Sequence, residues 1–257
     1  ALQENQREEG FGSNNIKSVY VDDTRGLVYI GAHAGGLSIL HRNSGRIENF
    51  NQRNSRLVNE NVYSILPDKD NTFLLGTLSA LVHFNPEKRS FTTISRESNG
   101  TPVTFQKITT LFRDSQKRLW VGSEEGISVF RQHGTEIERI PLLPASTITK
   151  SFTNYIYEAA NGLIWVGTRE GAYCFNEKDK QIKRYTIANG LPNNVVYGIL
   201  EDSYGRLWMS TNQGVSCFNP STEKFRNFTE ADGLQSNQFN TSSCYRTPNG
   251  KMFFGAI

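Results

Sequence analysis

The chain has 257 residues, with 28 Lys and Arg against 25 Asp and Glu, and a formal net charge of +3. This length is enough for one large β domain with a substantial core. Basic residues cluster at most in pairs such as Lys88-Arg89, which argues against a nucleic-acid-binding surface. No segment is apolar enough for a membrane span or a signal peptide.

An internal repeat dominates the sequence. Three-residue anchors end at Gly31, Gly76, Gly122, Gly167, Ser210 and Gly255, at spacings of 45, 46, 45, 43 and 45 residues. A fixed period of this size is typical of solenoids and propellers. We expect a single domain whose copies span approximately residues 15–58, 59–104, 105–150, 151–192, 193–236 and 237–257.

The copies carry up to four strand signals, always in the same order. A first strand leads through a turn with recurring Asp and Gly, which cap a turn and supply positive φ respectively. The second strand, which ends at the anchor, has consecutive apolar residues and is predicted to be buried on both faces. A second glycine column precedes the third strand and contains Gly126, Gly171, Gly214 and either Gly35 or Gly36. With a weaker fourth strand, and without helical periodicity, this pattern predicts an all-β propeller rather than a helical array or β-solenoid.

Some copies depart from the pattern. Ala80 replaces the second glycine, Ser210 replaces an anchor glycine, and residues 133–149 look irregular where a fourth strand belongs. The sixth copy stops just after its second strand, and the polar residues 1–13 contain no candidate for its missing strands. We therefore expect five four-stranded repeats plus the first half of a sixth, as a fragment of a larger propeller region.

The repeat consensus, shown best by NVVYGILEDSYGRLWMSTNQGVSCFNP from Asn194, resembles a known family. It is similar to the two-component-regulator propeller repeat of the hybrid sensor histidine kinases of Bacteroidetes. The segment from Glu230 to the end resembles the last such repeat, which normally precedes an immunoglobulin-like domain and a membrane helix. The resemblance covers almost the whole chain.

The resemblance implies a noncatalytic sensing module in the periplasmic part of an inner-membrane protein. Such a module binds an oligosaccharide released from a polysaccharide and controls glycan-utilisation genes through its kinase. The implied partners are the oligosaccharide and the rest of the sensor: a further propeller, the immunoglobulin-like domain, the membrane helix and the kinase. A homodimer remains open, and neither a cofactor nor direct nucleic-acid binding is expected of this chain.

Other chemical motifs are weak. The four histidines lack metal-protease spacing, and no metal site is predicted. Residues 68–71 resemble the start of a calcium loop but coincide with a hairpin turn. Cys174 and Cys217 fit buried third-strand positions, while any disulfide involving them or Cys244 is left open. The tryptophans share one column, which favours a core role over sugar stacking; they are Trp120, Trp165 and Trp208.

The candidate ligand site is one mouth of the propeller channel. It is formed by loops that join the second strand to the third and the fourth strand to the next copy. The first loop set supplies His33, Glu124, Arg169, Glu170, Asn212 and Gln213, and the second set supplies Asn194 and Gln238. Charged and amide groups suit sugar hydroxyls, and Arg169 suits a uronate carboxylate. An ordinary solvated rim is the competing interpretation, and Asn194 also fits a turn cap.

Two other functions remain open at this stage. A propeller polysaccharide lyase or glycosidase would use paired carboxylates, and Glu124 and Glu170 lie in equivalent loops one blade apart. A protein-interaction scaffold would bind a partner protein in place of a glycan.

Overall fold

The computed structural model describes residues 10–143 and 147–256. Backbone contacts divide this part of the chain into two compact units, one with residues 10–108 and 133–137 and one with residues 109–132 and 138–256. Most of the segment 1–13, for which no strand is predicted, lies outside the described residues. Within the described ranges, no helix is both long and apolar enough to cross a membrane.

The first unit contains two antiparallel sheets, each with its four strands in chain order. The strands of the first sheet are β1 (Ile16–Asp22), β2 (Leu27–Ala32), β3 (Leu37–His41) and β4 (Ile47–Phe50). Those of the second sheet are β5 (Val62–Pro67), β6 (Phe73–Thr77), β7 (Leu81–Asn85) and β8 (Ser90–Ile94), with a 3-10 turn at Lys69–Asn71. Aromatic side chains pack the two sheets together, since the Tyr29 and Phe73 ring centroids are 4.2 Å apart.

The third sheet lies mostly in the second unit and again has four strands. They are β9 (Ile108–Arg113), β10 (Leu119–Ser123), β11 (Gly126–His133) and β12 (Glu136–Arg139). The strand β12 corrects the prediction that residues 133–149 are irregular. Gly134 turns the chain with a φ of 60°, Ile137 is buried at 1% exposure, and Pro141 follows where a ladder donor would be needed.

The rest of the second unit continues the same arrangement. The fourth sheet contains β13 (Thr153–Glu158), β14 (Ile164–Thr168), β15 (Ala172–Asn176) and β16 (Gln181–Tyr185). The fifth contains β17 (Val196–Glu201), β18 (Leu207–Thr211), β19 (Gly214–Asn219) and β20 (Lys224–Phe228), and the last contains β21 (Phe239–Arg246) and β22 (Met252–Ala256). Short 3-10 helices occupy Thr147–Lys150, Ile187–Asn189 and Glu230–Asp232. Five four-stranded sheets and one two-stranded sheet confirm the predicted β-propeller repeats.

The anchor glycines allow the first strand of the next sheet to approach closely. A Cβ at Gly122 would lie 2.6 Å from Cγ2 of Thr153, a distance at which the strands would have to move apart. Ser210 is the exception in this column. Ser210 pairs with Gly198 on the neighbouring strand β17. A Cβ at Gly198 would lie 2.6 Å from the Cys244 sulfur, so in this copy the glycine that close packing requires lies on β17.

The tryptophan column is buried in two copies and not in the third. Trp120 and Trp165 are 0% and 2% exposed, and each ring packs against a third-strand phenylalanine of the next sheet, Phe175 and Phe218 respectively. Trp208 is only half-buried. The predicted core role is therefore confirmed for Trp120 and Trp165, whereas the described residues bury Trp208 only in part.

Candidate functional site

A buried hydroxyl fixes the loop between the second and third strands in four of the copies. In four copies the last residue of the second strand is Ser or Thr, and its Oγ donates to a carbonyl three residues later over 2.9–3.0 Å. The same oxygen accepts the backbone N–H two residues later. The four residues are Thr77, Ser123, Thr168 and Thr211. These bonds therefore hold the backbone of each of the four loops in one conformation at the end of its strand.

Arg169 is the basic residue that the predicted set places in the second unit, and it is exposed. Its guanidinium carbon lies 3.7 Å from the ring centroid of Phe152, within the range of a cation–π contact. Among the residues that the structure describes, no carboxylate pairs with Arg169. The stacking fixes the plane of the guanidinium while its N–H donors stay available to an anion.

Glu170, next to Arg169, is held by two neighbours. The Ser151 hydroxyl donates to Oε2 of Glu170 over 3.1 Å. Arg184 donates from Nε and Nη2 to the Glu170 backbone carbonyl over 3.0 and 2.7 Å, and its Nη2 lies 3.9 Å from the carboxylate. The carboxylate stays exposed and can accept hydrogen bonds from hydroxyl groups of a ligand.

The next loop of the second unit presents amides. The Tyr197 hydroxyl donates to Oδ1 of Asn212 over 2.9 Å, which leaves the Asn212 amide N–H groups as donors. Gln213 and Gln238 are exposed, and only their backbone N–H groups bond locally, to Thr211 and Ser236 respectively. The side chain of Glu124 is also exposed and has no hydrogen bond or ion pair to another described residue.

Asn194 has a structural contact. Its Oδ1 accepts the backbone N–H of Ile187 over 3.0 Å, so it caps the short helix that precedes the fifth sheet. Asn237 makes the corresponding bond to Glu230 over 2.9 Å, and Asn61 of the first unit accepts the N–H of Ala34 over 3.0 Å. The alternative interpretation of Asn194 as a turn cap agrees with this geometry, and only its amide N–H groups remain for a ligand.

The first unit has a separate polar and aromatic cluster. The exposed His33 ring lies edge-on to Tyr63, with centroids 6.5 Å apart. Lys107 Nζ lies 5.6 Å from the Tyr63 ring centroid, and the Lys107 backbone N–H donates to Leu78 O over 2.7 Å. His33 and Lys107 therefore both contact the Tyr63 ring, and polar groups beside an aromatic ring suit a sugar ligand.

Sequence reasoning missed Tyr63, Lys107 and Phe152. A signal was nevertheless present, because Lys107 and Phe152 each lie 15 residues before their anchor glycine, as Asn61 does. This column immediately precedes the first strand of a copy, and its residue type changes from one copy to the next. Variable side chains at a fixed structural position are typical of recognition surfaces.

The three cysteines are free, and Cys174 and Cys217 lie buried in third strands, as interpreted from the sequence. Burial raises the pKa of the Cys174 thiol to about 12 and that of Cys244 to about 11, so both are protonated at neutral pH. Residues 69–71 form the turn between β5 and β6. The described ranges contain no group of three or more His, Cys, Asp or Glu residues that could hold a metal ion.

Comparison with known proteins identifies the repeat. The family "Two component regulator propeller" matches residues 102–125 and 190–213, which confirms the resemblance inferred from the sequence. "Histidine kinase P4" of Formosa agariphila is 29% identical over 140 residues, covering 52% of this chain and 10% of the kinase. The chain thus matches a small part of this relative's length.

Solved structures with the same fold include both sensor domains and enzymes. The extracellular domain of a hybrid two component system from B. thetaiotaomicron superposes with a TM-score of 0.73 at 20% identity, over 96% of this chain and 32% of that domain. Virginiamycin B lyase from Staphylococcus aureus superposes with a TM-score of 0.64 at 14% identity, over 95% and 84% of the two chains. These likenesses establish the propeller fold and assign no chemistry to this chain. Its function must be argued from its own loop residues, and we call the loops between second and third strands, with the residues just before each first strand, the rim.

Proposed function

We propose that this chain is part of the periplasmic sensing region of a hybrid two-component histidine kinase, where it binds an oligosaccharide released from a polysaccharide. Binding would be transmitted to the kinase and would control genes for glycan use. The observation that carries this proposal is the set of rigidly held rim side chains in the second unit, on repeats that match the two-component regulator propeller. The kinase activity of the larger protein, its partners and its attachment to the membrane are part of the same proposal.

The rim of the second unit offers the groups that sugar binding needs. Arg169 presents donors for a carboxylate, Glu170 presents acceptors for hydroxyls, and Asn212 presents amide donors. Phe152 and Tyr197 add aromatic surface next to these groups. Hydrogen-bonding groups beside aromatic faces, fixed before the ligand arrives, lower the entropic cost of binding.

Among the described residues, the side-chain contacts of Glu170 are to Ser151 and Arg184, and none joins it to Glu124. The Glu170 carboxylate accepts from Ser151 and lies near Arg184, so part of its hydrogen-bonding capacity is already used by the protein. An inverting or retaining glycosidase needs a second carboxylate across the scissile bond, one of the two acting as the acid. This favours recognition over cleavage, and the lyase or glycosidase becomes an outcome that the experiment detects.

The test is calorimetric titration of the purified chain with a panel of neutral and uronate-containing oligosaccharides, followed by chromatography of each mixture. Sensing predicts saturable binding to at least one glycan, with the ligand recovered unchanged. Recovery of a shortened or unsaturated product would instead establish an enzyme. Absence of binding across the panel, together with stabilisation by a partner protein, would contradict the proposal and favour a scaffold.

A further inference from the structure

We infer that the first unit carries an anion-binding groove that is separate from the rim loops. It lies between the loop that follows β4 and the beginning of β8, and it encloses about 550 Å³, a volume within the range of small-molecule sites. Its lining includes three arginines, Arg53, Arg56 and Arg89, together with the polar residues Asn54, Ser55, Ser90 and Thr92. The expected ligand is a small molecule with sulfate, phosphate or carboxylate groups.

The loop that carries Arg53 and Arg56 is held in one conformation by its own hydrogen bonds. Oδ1 of Asn51 accepts the N–H groups of Arg53 and Asn54 over 2.9 and 3.2 Å, and Asn54 Oδ1 accepts the N–H of Asn51 over 2.9 Å. The Ser55 hydroxyl donates to the Asn51 carbonyl over 2.6 Å. Leu57, at 2% exposure, anchors the end of the loop in the core.

This internal bonding bears directly on ligand binding. A flexible loop must lose conformational freedom when it closes on a ligand, whereas a loop that is already ordered does not. Arg53 and Arg56 are both exposed, and within the described ranges neither forms an ion pair. The ordered loop backbone therefore places two guanidinium groups beside a concave surface, where both can donate hydrogen bonds to one anion.

The charge of the groove remains positive after its ion pairs are counted. Arg89 pairs with Oε2 of Glu48. Oε1 of the same carboxylate also lies 2.6 Å from Arg46 and 2.7 Å from His41, so one negative charge is shared by at least two arginines. Glu60 lies near the loop and accepts the N–H of Gln52 over 3.2 Å. An oxyanion bound at Arg53 and Arg56 would therefore supply the negative charge that neither arginine receives from an ion pair with a described residue.

The probes are sodium sulfate, sodium phosphate and citrate, each titrated into the isotopically labelled chain while backbone N–H signals are followed by NMR. Sodium chloride at equal ionic strength corrects for screening. We expect saturable shifts at residues 53–57 and 89–92, which localise binding to the groove. Stronger binding of sulfate and phosphate would indicate a tetrahedral anion as ligand, and stronger binding of citrate a carboxylate.

The double variant Arg53→Gln/Arg56→Gln should weaken binding of the best probe by about 10-fold or more, since each charge-assisted hydrogen bond contributes a factor of this order. The control is Arg42→Gln, which removes an exposed arginine of the same unit that pairs with Asp23 and should change the Kd by less than about twofold. Unchanged strand signals would show that both variants are folded. Non-saturable shifts, or equal weakening by the control, would overturn the inference without bearing on the rim.

Discussion

The indole Nε1 of Trp120 donates a 2.7 Å hydrogen bond to Oδ2 of Asp114, six residues earlier in the chain. The same carboxylate accepts from the Arg118 Nε over 2.6 Å and, through Oδ1, from the Arg118 backbone N–H over 2.8 Å. The recurring Asp of the hairpin turn thus caps the turn, as its position predicts, and also orients the tryptophan of the second strand. Asp202, Arg206 and Trp208 repeat the arrangement.

The substitution Asp114→Ala should destabilise the protein by about 3 kcal/mol or more, because it leaves a buried indole N–H without its acceptor and Arg118 without its closest carboxylate. The matched change Asp202→Ala should cost about 1–2 kcal/mol, since Trp208 and Arg206 are partly hydrated. Urea unfolding at neutral pH measures both values. Equal losses in the free energy of unfolding would show that the stability contributed by this Asp–Arg–Trp arrangement does not depend on its burial.

Stability should also depend on pH through Asp202. Burial alone would raise the pKa of this carboxyl, but hydrogen bonds from Trp208 and Arg206 outweigh burial and lower it. The lowered pKa contributes stability that is present above the unfolded-state value of about 3.9 and is lost as the pH falls through the folded-state value. Asp202→Asn should therefore flatten the acid limb of the stability profile below about pH 4. An unchanged acid limb would contradict this assignment.

The exposure of Trp208 predicts the fluorescence of the protein. The chain has three tryptophans, of which Trp120 and Trp165 are buried. Acrylamide should therefore quench one fraction of the emission readily, and that fraction should disappear in the variant Trp208→Phe. The change Trp165→Phe should leave the quenchable fraction in place. Retention of rapid quenching in Trp208→Phe would mean that Trp208 is covered in solution.

The thiols should be slow to react in the folded state. Desolvation raises the pKa of Cys174 to about 12 and that of Cys244 to about 11, and it is the thiolate that attacks disulfide reagents. At about pH 8 the native chain should react with an aromatic disulfide far more slowly than the unfolded chain. Mass spectrometry after a short pulse counts the modified cysteines. Rapid labelling of Cys174 would contradict its buried position.

Most of the fold could be predicted from the sequence because the signals that define the repeat lie close together in each copy. Anchor glycines, turn residues and apolar triplets each recur in several copies, so a departure in one copy does not obscure the pattern. The fourth strand of the third copy was missed because only one side chain in it, Ile137, is buried at 1% exposure. Its neighbours Glu136 and Glu138 are charged, and a single apolar residue between two charged ones predicts a loop more readily than a strand.

Contacts between copies were not predictable in the same way. The Ala160 N–H donates to Glu201 Oε2 over 2.8 Å, although 41 residues separate them and neither residue type suggests the other. The stacking of Arg169 on Phe152 lies within one copy, yet it depends on the register in which β13 pairs with β14, where Thr153 faces Thr168. Trp208 shows the same limit, because its column predicts burial and its actual exposure depends on the neighbouring sheet.

The most direct test of the sensing proposal is calorimetric titration of a uronate-containing oligosaccharide into the wild-type chain and the variants Arg169→Gln and Arg131→Gln. Arg131 is an exposed arginine of the same unit that lies 3.4 Å from Glu138, so the control removes the same charge. We predict that Arg169→Gln weakens binding by about 10-fold or more while Arg131→Gln leaves it nearly unchanged. Equal affinities for the wild type and Arg169→Gln would contradict recognition at this rim.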